Sequence, residues 1–269
     1  MKYFLATIAL LLGVSSFAQK EDKKKLKEKE DLKYIYKEAT LETDDYKIYI
    51  MDAVASLKQS KFKIKIFNKT NDYLFVKPTE FIYQSGNKPI ISKDKTFVVS
   101  PNEESTEVVD FRGEDMLAEK YTLEFKGIYK ASAGGKIYNV PDFDLPPSKN
   151  DFTVENFTCD LKKHDLKTDK SVVKFDCVYV GDGVGLISPT KTKAVMSDGK
   201  EQPNSKKTQP IILERGKRED FTMVYPELPG SGDMQKTGIK IKWYETYRES
   251  KISQIGSNKL EVVKESERK

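Results

Sequence analysis

The chain of 269 residues has one histidine and two cysteines, and this scarcity limits its chemistry. Zinc sites draw on several histidine and cysteine ligands, and serine or cysteine catalysis needs a nucleophile, a base and an orienting group in one pocket. The single histidine, His164, lies in the segment 162–165, Lys-Lys-His-Asp, which we interpret as a charged surface turn. We therefore expect no catalytic residue, no metal site and no cofactor.

Long hydrophobic runs are also absent beyond the first residues. The one apolar stretch, residues 3–14, has about 12 residues, against the ~20 that span a bilayer. Lys2 precedes it, and Ser16 and Ala18 give the small-residue pattern of a signal-peptidase site. We predict a signal peptide over residues 1–18 and an exported protein, periplasmic or extracellular, with no transmembrane segment after signal removal.

Neither sign of charge dominates, because 47 basic residues and 42 acidic residues leave a net charge of +5. Lysine and glutamate alternate along predicted strands, as on solvated faces, so we expect no nucleic-acid partner. Residues 19–38 form a charged leader with few apolar side chains. Such a composition does not offset the entropy of ordering, and we interpret the leader as a solubilising tether, with a membrane-surface role as the alternative.

Two stretches repeat one pattern. Residues 62–80 and 173–191 each show an alternating strand, a polar turn, a second apolar run and then Pro-Thr. Further on, Gly-Glu-Asp-Met at 113–116 has a counterpart in Gly-Asp-Met at 232–234. A spacing above about 100 residues exceeds that of solenoid and propeller repeats, so each copy is predicted to be a complete domain.

Short stretches of alternating apolar and polar residues, about ten residues apart, predict an antiparallel β-sandwich. The stretch 121–130 is predicted to be one strand, and Gly134-Gly135 is predicted to turn it back into 136–140 as a hairpin. Helix is expected only as one weak turn at 114–120.

The domain boundaries follow from proline. Residues 141–150 contain three prolines and are predicted to be a linker. The first β-sandwich domain is then predicted at 39–140, between the leader and this linker. A second domain follows at 151–264, with residues 260–263 as its closing strand.

Turn motifs carry a resemblance to a known family. Ser-Asp-Gly-Lys at 197–200 and Ser-Gly-Asn-Lys at 85–88 occupy hairpin positions, and Leu-Glu-Arg-Gly at 213–216 forms an edge turn. The first half departs from the last motif, with Ser-Pro-Asn-Glu at 100–103. The pattern resembles the immunoglobulin-like domains that recur in exported bacterial proteins of unassigned function. The resemblance implies two tandem antiparallel immunoglobulin-like β-sandwiches and no particular reaction.

The two cysteines, Cys159 and Cys177, are predicted to form a disulfide, because exported proteins favour paired cysteines. If 152–161 and 172–179 form an antiparallel hairpin, both cysteines fall opposite each other on an apolar face. Two buried free thiols are the alternative. No Cys-x-x-Cys spacing indicates a redox site.

Other polar motifs have ordinary explanations. Gly181-Asp182-Gly183 joins two strands and opens no helix, so it is interpreted as a turn and not a phosphate loop. Asp142, Asp144 and Asp151 lack the spacing of a calcium loop. The adjacent carboxylates Glu103-Glu104 and Glu219-Asp220 point to opposite strand faces and are not preassembled for glycoside hydrolysis.

Aromatic residues remain as candidates for a ligand or partner surface. Tyr244 is expected on an outer strand face, and Tyr34 and Tyr36 precede the first domain. We predict a non-enzymatic exported binding or structural protein. Its alternatives are a carbohydrate-binding accessory or hydrolytic protein, and a subunit of a cell-envelope assembly that adds strands to a protein partner.

Overall fold

The structure is a computed structural model that describes residues 32–86, 89–227, 236 and 238–268. The predicted signal peptide and most of the leader lie outside these residues. Within them, every regular element is a β-strand except two 3-10 turns, Pro78–Glu80 and Pro189–Lys191. The prediction of an all-β protein with antiparallel sheets is confirmed. Residues 114–119, where one helical turn was predicted, have no helix.

The chain alternates apolar and polar residues over short runs, and these runs form the strands. In chain order they are β1 (Lys33–Tyr36), β2 (Ala39–Glu42), β3 (Tyr46–Ser56), β4 (Gln59–Asn68), β5 (Tyr73–Val76), β6 (Phe81–Gln84), β7 (Pro89–Ile91), β8 (Phe97–Val99), β9 (Glu104–Arg112), β10 (Lys120–Phe125), β11 (Ile128–Ala131), β12 (Lys136–Tyr138), β13 (Phe143–Leu145), β14 (Asp151–Val154), β15 (Phe157–Lys167), β16 (Lys170–Tyr179), β17 (Val184–Ile187), β18 (Thr192–Val195), β19 (Glu201–Pro203), β20 (Ile211–Leu213), β21 (Arg218–Pro226), β22 (Ile239–Trp243), β23 (Tyr247–Ser250), β24 (Ile252–Gln254) and β25 (Asn258–Arg268).

The strand order occurs twice. In one set of strands, which we call the first lobe, the pairings run β2-β3-β4-β9, β7-β6-β10-β25 and β24-β11-β5-β8. In the other set, the second lobe, they run β14-β15-β16-β21, β19-β18-β22-β13 and β12-β23-β17-β20. The remaining strand, β1, lies between β25 and β3 and joins two of the first lobe's units into one nine-stranded sheet.

The lobes exchange strands. After β11, the chain leaves the first lobe, and β12 and β13 pair with β23 and β22 of the second lobe. After β23, the chain returns, and β24 and β25 pair with β11 and β10 of the first lobe. Each lobe is therefore completed by a strand pair that comes, in the chain, directly after a strand of the other lobe: β12 and β13 follow β11, and β24 and β25 follow β23.

This exchange overturns the predicted Gly-Gly hairpin. β12 pairs with β23 and not with β11. Gly135 is required for another reason: a Cβ there would collide with the carbonyl oxygen of Glu249, so only glycine lets the two backbones pass this closely.

Two further assignments differ. The strand expected to close the second domain at 260–263 lies in β25, where Leu260 faces Leu123 and Val262 faces Tyr121 of the first lobe. The expected linker contains β13, whose Phe143 is buried in the second lobe. Its Phe-Asp-Leu alternation is a strand pattern that the flanking prolines obscured.

Each lobe has its own core, and a third cluster lies between them. The first core includes Tyr46, Ile64, Phe111 and, from β25, Val262. The second is richer in aromatic side chains, among them Phe157, Phe175, Trp243 and Tyr247. The third combines Phe75, Val98 and Ala131 of the first lobe with Val184, Leu186 and Ile212 of the second. The lobes thus contact each other through apolar side chains as well as exchanged strands.

Candidate interaction surfaces

The predicted disulfide is present. Cys159 and Cys177 face each other across β15 and β16, and both are fully buried in the second core. The predicted register is also confirmed, since Phe157 faces Tyr179 and Leu161 faces Phe175. Because neither sulfur reaches solvent, the bond is a structural element of the core.

Tyr36, which was predicted on the surface, is buried in the first core. It is 3% exposed, its hydroxyl donates to the Ala118 carbonyl at 2.9 Å, and its ring lies 4.8 Å from that of Tyr121. Burial raises the pKa of Tyr36 well above its usual range. Tyr34 is half-buried, with the Lys264 ammonium 4.0 Å from its ring centre. Both side chains pack inward because β1 is a strand of the first lobe.

Tyr244 is the one predicted surface tyrosine that is exposed, at 41%. Its hydroxyl donates to Glu201 at 2.5 Å, and Lys193 lies 5.0 Å from its ring centre. Lys193, and then the Tyr244 hydroxyl, lower the pKa of Glu201 to about 2. One ring face and the hydroxyl are therefore already engaged. Glycan binding through Tyr244 stays a prediction.

His164 lies inside β15, where the prediction had a turn, because the hairpin extends to Lys167 and Lys170. It is half-buried, and its Nε2 lies 3.2 Å from the Ser171 hydroxyl. Burial lowers the pKa of His164. The loop Gly181-Asp182-Gly183 connects β16 and β17, as expected for a turn.

The predicted carboxylate candidates lie apart or pair with cations. Asp142 and Asp144 flank Phe143 on the exposed side of β13, while Asp151 begins β14. Sequence reasoning missed one feature: a cross-strand row of four aspartates, Asp151, Asp160, Asp176 and Asp220. Arg218 donates to the second and third of them at 2.8 and 2.9 Å. In the described part of the chain, no three His, Cys, Asp or Glu side chains are arranged to hold a metal ion.

One half-buried polar cluster joins the lobes. The Lys77 ammonium, after β5, lies 2.5 Å from the carboxylate of Glu214, which follows β20. It lies 3.6 Å from Glu80 and 4.8 Å from the ring centre of Tyr129. Burial, and then the hydrogen bond to Glu80, raise the pKa of Tyr129 to about 12.

A second polar cluster fixes an exchanged strand. Tyr138 of β12 donates to the Glu249 carboxylate of β23, and Asn156 donates to the same oxygen at 2.7 Å. The hydrogen bond from Tyr138 is the main cause of the lowered pKa of Glu249. The cluster therefore stabilises the pairing of β12 with the second lobe.

A cleft of about 270 Å³ opens at the contact between the lobes. Phe75, Val98 and Ile212 are its buried lining, and Lys95 and Glu219 are exposed beside them. This volume is below the roughly 300–1,000 Å³ of small-molecule sites. The cleft lies at the margin of the interlobe contact.

The outer strands β9 and β21 are capped at equivalent positions. The Asp110 N–H donates to the Asp94 carboxylate at 2.6 Å, and the Val224 N–H donates to the Asn204 side chain at 2.9 Å. An unpaired strand edge invites pairing with another chain, and side chains that occupy its donors prevent this. Both lobes use the same protection.

No helix in the described part of the chain is long and apolar enough to cross a membrane. No family model and no curated protein matches the sequence. Among solved structures, the YadV chaperone is similar at 8% identity over 72% of this chain and 92% of that chain, with a TM-score of 0.20. The secreted serine protease VesC from Vibrio cholerae is similar at 9% identity over 75% of this chain and 48% of that chain, with a TM-score of 0.18. Similarities this weak carry no argument about activity.

Proposed function

We propose that the protein is a non-enzymatic, exported binding or structural module, built from two immunoglobulin-like β-sandwich lobes and working with a protein partner in the cell envelope or outside the cell. Export is supported by the predicted signal peptide together with a buried disulfide, which oxidising compartments favour.

The observation that carries the proposal is that the half-buried polar groups connect strands and lobes to each other. The ion pair of Lys77 and Glu214 connects the two lobes. The hydrogen bond from Tyr138 to Glu249 connects β12 to β23 of the second lobe. In enzymes, perturbed carboxylates and tyrosines converge on a cleft that a substrate enters. Here they hold strands together, which is the role expected in a scaffold.

Two measurements on the full mature protein test this function. The purified protein is assayed against glycoside, ester and peptide substrates, and we expect no turnover. Turnover that is lost in a single variant such as Glu249→Gln would contradict the proposal. In parallel, in-cell crosslinking of the tagged protein should give discrete crosslinked species, while a protein that remains uncrosslinked throughout would argue against a partner.

A further inference from the structure

β1 covers a strand edge in the first lobe, and no strand from the described part of the chain covers the equivalent edge in the second lobe. In the first lobe, Tyr34 faces Ala55 of β3, and Ala55 in turn faces Ser60 of β4. The equivalent pair in the second lobe is Leu166 of β15 and Ser171 of β16. Among the residues that the structure describes, no strand pairs with the end of β15, Lys163–Lys167, on the side away from β16.

The burial of the inward side chains reflects this difference. Ala53 and Ala55, beneath β1, are 1% and 0% exposed. Their counterparts, His164 and Leu166, are only half-buried. Both are larger than alanine, yet they remain partly open to solvent. The second lobe thus presents an edge with apolar surface that one more strand would cover.

The charges along this edge favour an acidic occupant. Lys163 and Lys167 point outward, on either side of Asp165. Lys163 pairs with Asp165 at 2.6 Å, and within the described ranges Lys167 has no ion pair. A second copy of the same edge would bring like charges together, which is unfavourable for directly opposed strand residues.

We propose that the Lys163–Lys167 edge of β15 accepts an extended, acidic segment of a partner protein by β-strand addition. This rests on the proposed binding function and specifies its site. The segment lies antiparallel to β15, as β1 does to β3. Its inward apolar residues cover His164 and Leu166, and its outward acidic residues face Lys163 and Lys167.

The probe is a fluorescent peptide derived from residues 32–37, LKYIYK, with Lys33→Glu and Lys37→Glu. Anisotropy measures its binding to the full mature protein, and hydrogen exchange locates it. We expect saturable binding and slower exchange at amides 163–167. Lys163→Glu/Lys167→Glu should weaken binding at least about fivefold, since two exposed ion pairs contribute roughly 0.5 kcal/mol each. Lys240→Glu/Lys242→Glu, a matched pair on β22, should leave it unchanged.

Strand addition depends on backbone hydrogen bonds, so the peptide N-methylated at alternate residues should not bind. Equal binding of that peptide, protection confined to other strands, or no saturable binding up to about 1 mM would overturn the proposal. Slow hydrogen exchange at amides 163–167 without any peptide would also overturn the proposal. If that slow exchange depends on protein concentration, a second copy of the chain occupies the edge. If it does not, another segment of the same chain occupies it.

The proposed function can survive this failure. If in-cell crosslinked species form unchanged with the Lys163→Glu/Lys167→Glu variant, a partner binds elsewhere. If wild-type protein gives no such species, the binding function itself fails.

Discussion

Cys159 and Cys177 lie opposite each other at the position that Ile48 and Ile66 occupy in the first lobe. All four side chains are 0% exposed. One lobe therefore fills this place with an apolar contact and the other with a covalent bond. Because the isoleucine pair suffices in the first lobe, the disulfide adds stability to the second lobe without determining its fold.

Replacing both cysteines tests this relationship. Cys159→Val/Cys177→Val should fold to the same structure but lose about 3 kcal/mol of unfolding free energy, the value expected for a bond between cysteines 18 residues apart. Denaturant unfolding measures the loss. Alkylation of the denatured wild-type protein without reductant should give no mass increase. Labelling of both thiols would show that the bond is absent.

The side-chain cap on β9 should also matter for stability. Asp94→Ala removes the acceptor of the Asp110 N–H, and we expect a loss of about 1 kcal/mol in denaturant unfolding and increased aggregation by light scattering. Asp94→Asn keeps one acceptor oxygen and serves as the control. Equal behaviour of both variants and wild type would show that the edge needs no cap.

Glu249 should make stability depend on pH. Its pKa is lowered in the folded protein, so its contribution is complete above the unfolded pKa, near 4.3, and is lost as pH falls through the folded value. Tyr138→Phe removes the main cause, and should cost about 1–2 kcal/mol at pH 7. The difference from wild type should shrink towards pH 3. A difference that is the same at both pH values would contradict this role.

The ion pair between the lobes should contribute more than an exposed one. Lys77→Met leaves Glu214 and Glu80 without their shared cation, and we expect a loss of about 1–2 kcal/mol in thermal or denaturant unfolding. The control is Lys191→Met, which breaks an exposed pair with Glu245 and should cost at most about 0.5 kcal/mol. Similar losses would remove the distinction between the two sites.

Local features were predictable from the sequence. Alternation predicted the register of β15 on β16 from Phe157 to Leu161, including the Cys159–Cys177 pair, because one face must be uniformly apolar. It did not predict the bulge after Leu161, which shifts the rest of the hairpin by one residue. Turn chemistry was also readable: Gly86 and Gly199 both adopt positive φ in their hairpins. Asn102, in the turn at 100–103, has a positive φ as Gly216 does in the turn at 213–216, so both turns contain a left-handed residue although their sequences differ.

Long-range pairing was not predictable, because alternation identifies a half-buried strand but not the sheet that it joins. The alternation of Leu260 and Val262 fits a strand of either lobe equally well. The sequence around Tyr36 likewise does not show its neighbour, because Tyr36 is buried by β25, which comes from the end of the chain. Without knowledge of the strand exchange, Tyr36 reads as a surface residue before the first domain.

The strand exchange is tested most directly by two adjacent substitutions in β25. Val262 is 0% exposed in the first core and Val263 is 42% exposed. Val262→Asp should therefore cost about 3–4 kcal/mol, whereas Val263→Asp should stay close to wild type. Hydrogen exchange in Val262→Asp should accelerate first in β1 and β10, while β16 remains protected. Acceleration confined to β16 and β22 would place the final strand in the second lobe and contradict the exchange.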